Sequence, residues 1–118
     1  TPADPWGNAL LGAWHLEIVR RAGERTFGAS SRDGLEHYRA AVAVADSPAI
    51  PYHFAIALLA HDAEAYGEEA LRALRSAAAM ETATAFDTAM RRRSEALLEI
   101  ATTFRSAAAE EAVRRLEE

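Results

Sequence analysis

From Thr82 to the C-terminal Glu118 the chain contains neither glycine nor proline. Along that stretch Phe86, Met90, Leu97, Ile100 and Phe104 follow one another at steps of three, four and seven residues. That period gathers apolar side chains on one stripe of a helix, whereas a strand sends successive side chains to opposite faces. The segment is therefore expected to be one long helix. Its apolar pattern thins after Arg105 to alanine, Val113 and Leu116, so its end should lose contact with the body. The alternative is a separate last helix capped by Ser106. No stretch of the chain alternates convincingly with period two, which makes the expected class all-α, built of antiparallel helical hairpins.

Glycine and proline divide the rest of the chain. Residues 1–7 carry Pro2, Pro5 and Gly7 and read as an irregular lead-in. A first helix is expected from Asn8 to Ala22, with Leu10, Leu11, Trp14 and Ile18 on its buried face and Gly23 as its stop. A long loop should fill 23–33, pinned to the body by Phe27, its one large apolar side chain. Asp33 is the expected cap of a second helix that runs to about Ala45, with Leu35, Tyr38 and Val42 inward. After "DSPAIP" a third helix begins near Pro51; "YHFAIALLAH" is apolar on nearly every side, as in a central helix. "DAEAYG" breaks the chain again before a fourth helix from Glu68 to Met80.

One domain is expected from 118 residues. It begins without methionine, so a processed chain or a piece of a longer protein is expected. The formal charge of −5 argues against nucleic acid as a main partner, since phosphate recognition requires clustered positive charge. Arg91, Arg92 and Arg93 fan around a helix instead of forming one basic face. Cysteine is absent, which removes disulfides, thiolate zinc sites and thiol nucleophiles and fits a cytoplasmic protein. No segment has the length of apolar chain that a membrane-spanning helix needs. All thirteen basic residues are arginine, and the Arg- and Ala-heavy composition resembles that of a bacterial protein.

Two stretches echo each other. Gly34, Tyr38 and Ala41 are matched by Ala70, Leu74 and Ala77, each at an offset of 36 residues. The pairing of small residues with an aromatic or leucine resembles the tetratricopeptide (TPR) repeat, whose helical hairpins take about 34 residues. "YHFAIALLA" resembles the first helix of such a repeat and "EEALRALRSAAA" its second. "LLGAWHLEIVRRAG" resembles the first helix of an earlier one, with Gly12 at a close-packing position. The resemblance covers roughly residues 9–80. It implies an array in which the first helix of each pair lines a concave binding surface. The long first loop, the enlarged "HDAEAYG" turn and the lack of a proline after Met80 depart from the pattern and leave a compact five-helix bundle as the alternative.

The resemblance makes a non-catalytic helical module for protein–protein interaction the leading expectation, with Trp14, His15, Tyr52, His53 and Ile56 as the residues that meet a partner protein or peptide. Pairing of two copies through Leu97, Ile100 and Phe104 of the last helix is a related expectation, giving a homo-oligomer. The rival is a small ligand-binding or enzymatic bundle that uses His15, His37 or Arg32. "RDGLEH" resembles the Arg-x4-His motif of HEPN-type helical ribonucleases, which would imply phosphate contact by Arg32 and proton transfer by His37. No metal or other cofactor is expected: the four histidines lack the i,i+4 spacing that shares one ion on a helix, and no Gly-rich phosphate loop is present.

Overall fold

A computed structural model describes residues 4–117. Among the described residues there are four helices: α1 (Pro5–Ala22), α2 (Ser31–Ala43), α3 (Ala49–Ala79) and α4 (Ala85–Glu117). A short 3-10 turn, Thr26–Gly28, lies between α1 and α2. The described residues contain no strand, and the all-α expectation holds.

The first helix starts earlier than its apolar pattern suggests. The Asp4 carboxylate accepts the Trp6 amide at 3.2 Å, and Pro5 occupies the first turn, where its missing N–H costs nothing. Trp6 and Gly7 are thus helical and not part of a lead-in; residues 1–3 lie outside the described residues. The helix ends at Gly23, whose φ of 100° suits only glycine, with Arg20 and Arg21 in the last turn.

The buried face of α1 also differs from expectation. Gly12, His15 and Leu16 are buried, while Leu10, Leu11 and Trp14 stand 73%, 47% and 42% exposed. Close approach sets this face, not side-chain bulk. A Cβ on Gly12 would meet Tyr38 at 2.8 Å and the Gly34 carbonyl at 2.9 Å. A Cβ on Gly34 would in turn meet His15 and Leu16. The two helices cross glycine to glycine.

The loop after α1 holds together through its backbone. Arg25 N–H donates to the Ala29 carbonyl at 2.7 Å, and Ala29 is fully buried. Phe27 does not pin it: its side chain is 84% exposed, on a backbone at φ 52°. The anchor is Ala29, small enough to pass under the helices. The cap of α2 is Ser30, whose hydroxyl accepts the Asp33 amide at 3.0 Å; Asp33 lies inside the first turn.

Proline at 51 does not delay α3, because a first-turn residue has no helical N–H partner to lose. The helix starts at Ala49. The only non-helical backbone within it is at Asp62, φ −163° and ψ 95°. There the chain doubles back: Phe54 and Ala73 line one groove, although a straight helix would hold them about 28 Å apart. Asp62 accepts the Ala65 amide at 3.0 Å and so caps the returning arm. The "HDAEAYG" turn is thus a single residue, and Gly67 sits inside a helix.

The core joins these pieces. Leu16, Leu35, Tyr38, Phe54, Leu58, Leu71 and Leu74 form one buried cluster with Ala55, Ala70 and Ala73. All six residues of the 36-residue echo are buried. Arg39 of α2 reaches the returning arm of α3 with two 2.8 Å bonds to Glu69. The start of α4 is tied to the α2–α3 connection by Ser47, which donates to Asp87 at 2.7 Å. Among the described side chains of α4, Met90 and Ser94 are buried, whereas Phe86, Ile100 and Phe104 are mostly exposed. The helix is continuous to Glu117, and the described side chains beyond Ala101 are exposed.

Candidate functional site

Between α1 and the outgoing arm of α3 (residues 49–61) runs a groove of about 610 Å³. Leu16, Tyr38 and Ile50, all core residues, form its floor. Ala9, Ala13 and Ala57 narrow its walls, and Trp6, Leu10 and Ile56 stand exposed along its rim. The groove exists because α1 meets α3 less extensively than it meets α2, and because alanine fills little of the space left between them.

Polar groups mark one end. Arg20 and His61 both line the groove there. The Glu17 carboxylate accepts hydrogen bonds from Arg20, at 2.7 Å, and from Arg21; these hold its carboxyl at about 2, well below the usual range. Hydrogen bonds from Ser31 likewise hold Glu24 low, with the His61 charge adding to the effect. The ends of α1 and of the outgoing arm therefore lie together, and the two helices that flank the groove run the same way. His53, farther along the arm, has its pKa lowered by burial, with repulsion from Arg93 of α4 second. Both effects favour its neutral form.

Of the five residues expected to meet a partner, His53 and Ile56 line this groove. Trp14 is exposed but is absent from the lining; its ring meets His15 edge-on at 4.9 Å. Tyr52 is half-buried against the core cluster and touches His53 edge-on. His15 is buried between α1 and α2, and its Nδ1 accepts the Ser30 amide at 3.0 Å. Trp6, Leu10 and Arg20 also line the groove. Their i,i+4 and longer helical spacing with Ala13 was a usable signal, hidden by the assumption that large apolar residues on α1 face inward.

Of the three residues of the rival reading, the structure brings His15 and His37 together and leaves Arg32 apart. Arg32 is at the surface, paired with Glu36 at 3.4 Å. His37 stacks on His15, ring centroids 5.8 Å apart, and its Nδ1 lies 3.0 Å from Asn8 Oδ1. Neither residue lines a described groove. Among the described residues no three potential metal ligands cluster, and no helix is long and apolar enough to cross a membrane.

Comparison with protein-family models, with curated proteins and with solved structures finds no match to this chain.

Proposed function

We propose that this chain is a non-catalytic, TPR-like interaction module whose groove between α1 and the outgoing arm of α3 receives the apolar face of a partner helix or peptide. One observation carries the reading: large apolar side chains, Trp6, Leu10 and Ile56, are held exposed around a preformed trough with an apolar floor. Exposed apolar patches of this kind mark interaction sites more often than chance surface, and a helix-sized trough suits side chains at i, i+3 and i+4. The two-sided crossing at Gly12 and Gly34, the echo in α3 and the parallel flanking helices support the TPR-like description. A cysteine-free, bacterial cytoplasmic protein fits the same reading. Side chains that are already fixed by the core reduce the ordering cost of binding.

The test is selection from a displayed random-peptide library with the immobilised chain. Selected peptides should carry apolar residues at helical spacing and compete with one another. Leu10→Glu together with Ile56→Glu should remove their binding while helicity stays unchanged, since both side chains already face solvent. Peptides indifferent to that double substitution would place the site elsewhere, and a library that yields no binder would reject the module. Tyr52→Ala is a poor probe, because that ring also packs on the core.

Self-association is the second reading, favoured by one feature. Ile100, Phe104, Val113 and Leu116 of α4 are each more than half exposed. Sedimentation over a hundredfold concentration range should show rising mass if two copies pair there; constant monomer mass removes it.

A further inference from the structure

The α1–α2 crossing contains two histidines that the docking groove does not use. His15 is buried, and its Nδ1 accepts the backbone N–H of Ser30 at 3.0 Å. That hydrogen bond is open only to the neutral ring, with its proton on Nε2. Ser30 is also the cap of α2, accepting the Asp33 amide through its hydroxyl. His15 therefore holds the residue that starts the second helix. Directly above it His37 lies nearly parallel, at 14° and a centroid distance of 5.8 Å.

Other charges do not offset this arrangement. On α1, Glu17 is engaged by Arg20 and Arg21. On the loop, Glu24 is held by the Ser31 amide and hydroxyl. On α2, Glu36 pairs with Arg32, Arg39 pairs with Glu69, and Asp33 stands in the first turn. From α3, His61 faces Glu24. None of these side chains hydrogen-bonds to either imidazole. The described ring partners are the Ser30 amide, Asn8 Oδ1, the Trp14 edge and the other histidine.

We infer that His15 and His37 form a proton-sensitive latch that closes the α1–α2 hairpin when both rings are neutral and loosens it on protonation. A proton on His15 Nδ1 points at the Ser30 N–H, replacing an attraction with a donor–donor contact. A second proton on His37 places like charges face to face. Gly12 and Gly34 hold the two helices in close contact at this crossing. As α1 is one wall of the groove, acid would also release a docked helix. That consequence rests on the docking reading; the latch itself does not.

The test uses urea unfolding of the full chain at about pH 8 and about pH 5, the interval over which histidine changes charge. His15→Asn supplies an acceptor near the Nδ1 position that takes up no proton. The wild-type folding equilibrium should fall by more than about twofold beyond the fall of the variant over this interval. Equal falls, within about twofold, would overturn the latch, and the His53 contribution is common to both proteins. If His15→Asn does not fold, hydrogen exchange on the wild type decides. Ser30 amide protection, corrected for intrinsic rate, should drop in acid together with that of the first turn of α2. Unchanged protection at Ser30 refutes the proposal.

Discussion

Gly12 and Gly67 both lie inside helices and are expected to respond oppositely to one methyl group. At Gly12 the added carbon would overlap the Tyr38 ring and the Gly34 carbonyl, and neither can yield without parting the helices. Gly12→Ala should cost about 1–3 kcal/mol, measured by urea unfolding. Nothing lies within 4 Å of a Cβ at Gly67. Gly67→Ala should raise stability by about 0.5–1 kcal/mol through lower entropy of the unfolded chain. His53 adds a pH term with a definite sign. The fold favours its neutral form, so the unfolded chain binds more protons below its ordinary value of 6.5. Its contribution is intact above that pH and is lost as pH falls through the lowered folded value. Stability profiles of wild type and His53→Gln should therefore run parallel above pH 6.5 and diverge below it, the wild type falling faster. Glycine is easy to find in a sequence, but which glycine is a crossing point depends on what stands opposite.

Helix boundaries show the same division. Gly23 and the absence of breakers after Thr82 mark a helix end and a long helix directly, because they act through the local backbone. Asp62 acts locally too, yet its role was obscured by Gly67, which is a stronger punctuation mark in sequence. Asp62→Ala should lose the cap of the returning arm and cost about 1 kcal/mol, with the loss appearing in thermal unfolding and not in the helical signal of the native state. Along α4 the position of apolar residues was legible and their burial was not. Phe86, Ile100 and Phe104 share its stripe with Met90 and Leu97, but Met90 is buried with Ser94 while the two phenylalanines and Ile100 are more than half exposed.

For the molecule as a whole, the 33 residues of α4, about 50 Å of helix, set the longest dimension. The principal extents are 56, 39 and 19 Å. The shortest equals about two helix diameters, so the helices lie in two layers. The Cα radius of gyration is 16.0 Å, against about 13.5 Å for a compact domain of this length. Small-angle scattering at low concentration should return a value near the larger figure. Arg39 and Glu69 connect α2 to the returning arm of α3, with Glu69 held below its ordinary carboxyl value by the Arg39 hydrogen bonds. A double-mutant cycle should find a coupling below about 1 kcal/mol, weaker in salt, because Arg39 is half exposed.

The all-α class and the 36-residue echo followed from the sequence alone, since period and punctuation are properties of neighbouring residues; the two helices expected on either side of "HDAEAYG" are one element, α3. His53 and Ile56, which the resemblance to the first helix of a repeat nominates, line the candidate groove. The rest of the groove came from tertiary structure. The close crossing at Gly12 turned α1 so that Leu10 and Trp6 point outward and His15 inward. Which face of a helix is buried depends on the nearest approach its partner allows, and no single helix encodes that distance.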